Sequence, residues 1–228
     1  MKTNRQERLN ELIRTDLPLW ERGIVFAGMD EAGRGPLAGP VTAAAVLLPP
    51  DYENAMLNDS KQLSERQRNL LRPEIESTAL AWAVATIEPP EIDSLNILHA
   101  ATHAMCLAAL ALLGEAADNV VCGGTMLGKA KPAFLLVDGN RFYNETPLPY
   151  QCVVKGDATY MSIAAASVLA KTYRDEVMLR LHAEYPQYGW DHNKGYPTAD
   201  HYTAIEAHGP TPYHRRSFTL YRQHTLFE

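Results

Sequence analysis

Asp30 and Glu31 stand side by side at the end of an apolar run, Ile24-Val25-Phe26-Ala27-Gly28-Met29. Two adjacent carboxylates at the tip of a buried strand are costly unless a cation meets them, because unpaired buried charge is penalised heavily. Asp138 repeats the arrangement: it follows Phe134-Leu135-Leu136-Val137 and precedes Gly139. If those two strands are neighbours, their ends meet. Asp157, in Lys155-Gly156-Asp157 after Cys152-Val153-Val154, also sits just past an apolar strand. Spacing leaves alternatives open. Asp138-Gly139 is also a common turn pair, Asp157 also suits the N-cap of a following helix, and Asp30-Glu31 also suits a capped loop with surface charges. Four carboxylates without a His/Cys cluster select a hard cation, Mg²⁺ or Mn²⁺, over zinc. Pairs of such ions, about 3.5–4 Å apart, clamp the attacking and leaving oxygens of an in-line displacement at phosphorus. The chemistry these residues point to is metal-dependent phosphodiester or phosphoryl transfer.

The elements that must position them follow from patterning. A strand over 24–30 leads into the loop 32–40, and a second strand covers 41–48, ended by Pro49-Pro50. Ser64-Glu65-Arg66-Gln67 matches a capping box and starts a helix. A strand runs from about Leu80 to Ile87, and Pro89-Pro90 open one long helix to about Leu113, with Ile92, Leu95, Leu98, Met105 and Leu112 at helical spacing. Gly123-Gly124 mark a loop, and 134–137 and 152–154 are short apolar strands of the buried, central kind. Helices follow from about Tyr160 to Tyr185 and from Asp200 to His208. Strands come first in hairpin order and then alternate with helices. That order implies an α/β fold, a mixed central β-sheet flanked by helices, with a small helical C-terminal part. Residues 1–22 read as an N-terminal helical extension and 23–228 as a single domain.

Composition narrows the class. At 228 residues, 46% hydrophobic and 21% charged, the chain suits one ordinary globular domain. No apolar run reaches membrane length, and the charged start carries no signal-peptide pattern. Cys106, Cys122 and Cys152 show no CxxC spacing and are odd in number, which disfavours structural zinc and a disulfide framework and fits a reducing, cytoplasmic setting. A net charge of −6 and a pI near 5.8 argue against a nucleic-acid partner when taken alone. The distribution softens this: residues 1–150 hold 13 basic and 19 acidic side chains, hence the whole −6, whereas 151–228 hold eight of each. Acids that bind a metal do not repel a polyanion either, since the ion reverses the local sign. Gly33-x-Gly35-x-x-Ala38 after a strand imitates a dinucleotide-binding fingerprint, but that motif must open a helix, and Pro36 and Pro40 interrupt it here.

The run Asp30-Glu31-Ala32-Gly33-Arg34-Gly35-Pro36-Leu37-Ala38-Gly39-Pro40-Val41 closely resembles the signature of bacterial ribonuclease HII. Further matches follow in order: Asn58-Asp59-Ser60-Lys61, Asn96-Ile97-Leu98-His99-Ala100, Val137-Asp138-Gly139-Asn140, Lys155-Gly156-Asp157, the stretch 162–171 with Arg174-Asp175, and His192-Asn193-Lys194-Gly195-Tyr196-Pro197-Thr198. The resemblance spans roughly residues 22–218. It implies a ribonuclease H-like fold and an endonuclease that cuts RNA in RNA–DNA hybrids and cuts 5′ to single ribonucleotides in duplex DNA, leaving 3′-hydroxyl and 5′-phosphate ends. It implies that Asp30, Glu31, Asp138 and Asp157 are the catalytic ligands of two Mg²⁺ or Mn²⁺ ions. Gly33, Arg34 and Gly35 are implied to contact the 2′-hydroxyl and adjoining phosphate, and Tyr196 to stack near the ribose at the RNA–DNA junction. Ser60 and Lys61 are assigned to substrate backbone; Lys171 and Arg174 are further candidates, Lys171 fitting equally well the solvated end of an Ala-rich helix. The implied partners are hybrid and ribonucleotide-containing duplex, acting on a monomer with no membrane; a replication or repair partner is left open. Ribonuclease HIII, with a different loop at the Gly-Arg-Gly position and an extra N-terminal domain, is disfavoured. The rival readings are a metal-dependent phosphatase of small substrates and a hybrid-binding module without catalysis.

Overall fold

The computed structural model describes residues 16–54, 56–57, 63–115 and 117–221. Strands β1 (Phe26–Ala32), β2 (Val41–Leu47), β3 (Ala81–Ile87) and β4 (Val120–Gly123) pair antiparallel in succession. On its other side β1 pairs in parallel with β5 (Phe134–Asp138), which pairs in parallel with β6 (Tyr150–Val153). The spatial order is therefore β4-β3-β2-β1-β5-β6, a mixed sheet as the sequence predicts.

Helices cover both faces. Helix α1 (Glu65–Thr78) starts at Ser64 with the predicted capping box, the Ser64 and Gln67 side chains each accepting or bridging at the other's backbone N–H. On one face α2 (Pro89–Leu95) and α3 (Ile97–Leu113) pack over Ala43, Ala45 and Leu47 of β2; on the other, α1 and the long α4 (Met161–Glu184) pack over Ala44 and Val46. This is the two-residue alternation of a strand buried on both sides. The sheet's small residues allow close approach. At Gly28 the backbone of Ser162 and Ile163 lies where any Cβ would stand, so α4 crosses β1 directly on glycine. The short α5 (Trp190–Asn193) and α6 (Ala199–His208) build the C-terminal part around buried Trp190, Tyr188, Met178 and Ile205.

Three local expectations change. The single helix expected after Pro89-Pro90 is two, bent by 115°. Asn96 takes a positive φ of 67°, and its carboxamide accepts the N–H groups of Leu98 and His99, ending one helix and capping the next. Gly123, read with Gly124 as marking a loop, instead ends an edge strand, β4, over Val120–Gly123. The strand expected at 152–154 begins earlier, at Tyr150. Of the N-terminal extension, residues 16–21 are described and helical. Asp16 is buried against the backbone N–H groups of Met161 and Ser162, so it caps α4, whose own N-cap residue Tyr160 supplies no side-chain cap. No single helix among the described residues is long and apolar enough to cross a membrane.

Candidate active site

The parallel register of β1 and β5 matches Met29 with Val137, so Asp30 comes beside Asp138, the last residue of β5, although β1 runs past the expected end at residue 30 to Ala32. Strand alternation sends Asp30 and Glu31 to opposite faces. Asp30 lies on the α4 side, nearly fully buried at 3% exposure, with the Ser167 hydroxyl and the Glu31 N–H (2.7 Å) donating to its carboxylate. Glu31 lies towards α3, lining a groove of about 240 Å³ with Leu98, Thr102, Met105 and Asp138. Asp157 is no helix cap. It sits, 4% exposed, in a 3-10 turn over Gly156–Ala158, and α4 begins later, at Met161. The Gly156 N–H of that turn donates to Asp138 Oδ1 at 2.7 Å, which ties the Asp157 segment to the end of β5.

Like charges crowd here. Burial, then Glu31 and Asp138, push the Asp30 carboxyl well above the ordinary range. The donor set is all carboxylate oxygen, so its chemistry and its charge both fit a hard divalent cation. Among the described residues no three acidic, His or Cys side chains already stand close enough together to enclose one. Asp30, Glu31 and Asp138 instead line a common cleft of about 350 Å³.

The same cleft is lined by Gly33, Arg34, Gly35, Lys171 and Tyr196. Arg34 is half exposed and reaches Glu31 Oε1 at 3.3 Å. Lys171, on α4, is bonded to Asp175 Oδ1 at 2.6 Å, and burial lowers its pKa. Tyr196 presents an exposed ring opposite Gly35. Ser60 and Lys61 lie outside the described residues. Arg174 departs from expectation: it is 0% exposed and cannot touch substrate. Its three guanidinium nitrogens donate to the carbonyls of Pro40, Lys194 and Ala38 at 3.0–3.2 Å. Arg215, absent from the sequence reading and equally buried, donates to Gly39, Arg34, Gly33 and Pro40 carbonyls at 2.6–3.1 Å. Burial lowers Arg174 to about 10, and burial with Arg174 nearby lowers Arg215 to about 9, so both stay charged at neutral pH.

These two cations shape the glycine loop. Gly33, at φ +96°, has the Arg174 side chain where a Cβ would stand. In a trans peptide the C=O and N–H point oppositely. With the Gly33 and Arg34 carbonyls drawn onto Arg215, the N–H groups of Arg34 and Gly35 turn the other way. Arg68 of α1 also lines the cleft and was missed; its Nη2 stands 3.7 Å from Asp175. Its signal was weak, since one arginine in a charged helix turn reads as a solvated face.

A carboxylate-tipped pair of parallel strands under a glycine-arginine-glycine loop now has a counterpart among known proteins. The model of the family Ribonuclease HII matches residues 27–221. This chain belongs to the ribonuclease HII family. Ribonuclease HII of Bacteroides fragilis is 54% identical over 204 residues, covering 90% of this chain and 94% of that protein, and the Porphyromonas gingivalis protein is 51% identical over 191 residues, covering 84% and 87%. The chain is accordingly a ribonuclease H, a hydrolase that cleaves RNA endonucleolytically in RNA–DNA hybrids. Among solved structures, ribonuclease H2 from Pyrococcus horikoshii OT3 superposes with a TM-score of 0.65 at 24% identity, covering 86% of this chain and 95% of that one. Bst-RNase HIII in complex with Mn²⁺ gives 0.65 at 19% identity, covering 86% and 68%. Both likenesses show a ribonuclease H-like fold.

Proposed function

We propose that this ribonuclease HII also cuts 5′ to single ribonucleotides embedded in duplex DNA, and that on both substrates it leaves 3′-hydroxyl and 5′-phosphate ends by two-metal hydrolysis. The observation that carries this reading is the meeting of β1 and β5. It sets Asp30 beside Asp138, with the Gly33–Gly35 loop and Tyr196 on the same cleft. Asp30, Glu31, Asp138 and Asp157 are the ligands in this reading, and the ions are Mg²⁺ or Mn²⁺. The chemistry two bound divalent cations supply is activation of water at phosphorus and stabilisation of the leaving 3′-oxygen.

The chain's own groups do the positioning. The Ser167 hydroxyl and the Gly156 N–H orient the Asp30 and Asp138 carboxylates. Arg34 forks onto the phosphate beside the ribonucleotide. The outward N–H groups of Arg34 and Gly35 approach the sugar closely because glycine carries no side chain, and the 2′-hydroxyl is the group that separates RNA from DNA there. Tyr196 stacks at the RNA–DNA junction. Lys171, with Ser60 and Lys61, takes substrate phosphates. Residues 23–228 act as one catalytic unit, as a monomer in the reducing cytoplasm, where Cys106, Cys122 and Cys152 stay thiols.

The test is a DNA duplex holding one ribonucleotide, incubated with Mg²⁺ or Mn²⁺. A nick on the 5′ side, abolished by EDTA, is the expected result. Cleavage of long hybrids with no nick at the lone ribonucleotide overturns the proposal.

A further inference from the structure

Two buried histidines, His201 and His214, lie behind the backbone of Tyr196. The Tyr196 carbonyl accepts His201 Nδ1–H at 3.0 Å and the Thr198 N–H at 2.8 Å, and its own N–H donates to the Asn193 carbonyl at 2.9 Å. A carbonyl only accepts, so His201 carries its proton on Nδ1. Its Nε2 is then an acceptor, and it takes the Trp190 Nε1–H at 3.0 Å. His214 Nε2 lies 3.2 Å from the same atom, so it must be the donor of that pair. That leaves His214 Nδ1 as an acceptor, and it receives the Thr211 N–H at 2.9 Å. Every link has one allowed direction, and the two imidazoles have one joint protonation state, both neutral. Burial lowers both from the ordinary value, His214 to about 4 with His201 as the second cause.

We propose that His201 and His214 are positioning residues for substrate selection, fixing through their hydrogen-bond chain the backbone of Tyr196 and hence the ring that meets the ribonucleotide junction. This rests on the reading of Tyr196 given above. The chain joins four segments by side-chain bonds: α5 through Trp190, the loop through Tyr196, α6 through His201 and the C-terminal strip through Thr211. His214 also bridges to Ala38, the far end of the Gly33–Pro40 loop. That bridge is made by backbone, so the strip that carries His214 is itself tied to the glycine loop. A purely apolar filling of the same space would supply packing but no directed bond to the Tyr196 carbonyl.

The experiment is a double-mutant cycle on two substrates, with kcat and KM measured separately. His201→Leu, Tyr196→Ala and the double variant are compared on a duplex with one ribonucleotide and on a long hybrid. His201→Leu is expected to lower kcat/KM on the single ribonucleotide about tenfold more than on the hybrid, with little further loss when Tyr196 is already Ala. If His201→Leu melts below the assay temperature, His214→Gln and His214→Ala replace it. Gln can accept from Thr211 and donate to His201, so it should restore most of what Ala loses. Equal losses on both substrates, losses that multiply in the double variant, or no rescue by Gln overturn the inference. If Tyr196→Ala itself shows no selective loss, the reading of Tyr196 falls and takes the inference with it; a selective loss in Tyr196→Ala beside an unselective His201→Leu removes the inference alone.

Discussion

The two halves of the cleft treat buried charge in opposite ways. At the tips of β1 and β5, Asp30, Glu31 and Asp138 bring like charges together, and Asp30 is nearly fully buried among them. On the facing side, two guanidiniums are buried just as deeply, yet seven hydrogen bonds to carbonyls, three from Arg174 and four from Arg215, satisfy them. The first half stores repulsion that, in the proposed function, a cation relieves on binding. The second half is complete before substrate arrives. Chemistry at phosphorus needs charge that is free to take a metal, whereas discrimination of one hydroxyl needs a backbone that does not move. The sheet carries the first demand because the parallel register of β1 and β5 brings Asp30 beside Asp138. The loop 33–40, to which we assign the second, is held in place only with help from residues far along the chain.

The comparison breaks most visibly at the carboxylates. Asp30→Asn and Asp138→Asn should each lower turnover on the order of a thousandfold or more while hybrid binding survives. In the absence of divalent ions, Asp30→Asn should also melt a few degrees higher, because it removes crowded like charge. Steady-state cleavage, filter binding and a thermal melt in EDTA check the three parts. Near-normal turnover in Asp138→Asn would remove it from the metal site. The facing half should respond the other way round. Arg215→Met strips the Gly33, Arg34 and Gly39 carbonyls of their donor, while Pro40 keeps Arg174, and should cost about 2–4 kcal/mol of stability. Arg215→Lys, which keeps the charge but loses the fork, should recover little of it. Urea unfolding gives the number; a stability unchanged in Arg215→Met would show that the carbonyls find other donors.

What the sequence reveals divides along the same line. Asp30, Glu31 and Asp138 stand out as candidates because a carboxylate closing an apolar run is an anomaly that local chemistry exposes, and the mixed character of the sheet follows from hydrophobic runs and hairpin spacing; the strand order does not. Asp157 is ambiguous by spacing, since a residue before a helix reads equally as a cap; the late start of α4 removes the cap reading, and the Gly156 bond to Asp138 places its turn beside the end of β5. Arg215 and His214 leave no local trace. Each acts across more than a hundred residues, on Gly33, Arg34 and Ala38. Arg174 misleads for the same reason, because an arginine on a long helix reads as surface until the loop that covers it is in place. The break at Asn96 is hidden by apolar spacing that continues on both sides of it.

A smaller effect tests whether the α3 wall belongs to the charged half. Asn96→Ala removes the cap at Leu98 and His99 and places Ala at a positive φ, for a loss of about 1–2 kcal/mol. The α3 residues Leu98, Thr102 and Met105 line the groove beside Glu31. If that wall positions Glu31, turnover should fall two- to fivefold or so along with stability; a stability loss with unchanged kcat would assign α3 to the core alone.

A last effect separates the halves by pH. His214 titrates near 4 in the folded chain against an ordinary 6.5, chiefly through burial and then His201. A depressed folded pKa means that the unfolded chain binds the extra proton first. The stability contributed by neutral His214 is therefore fully present above about pH 6.5, declines below it, and is lost as pH falls through about 4. His214→Gln carries no such group, so the difference in unfolding free energy between wild type and variant should shrink steadily from pH 7 to pH 4. The carboxylates run in the opposite direction: acid neutralises Asp30 and eases its crowding. Taking the difference between the two proteins cancels that background. A gap that stays constant over this range would mean that His214 keeps an ordinary affinity for protons, and that the imidazole chain beneath Tyr196 is not closed.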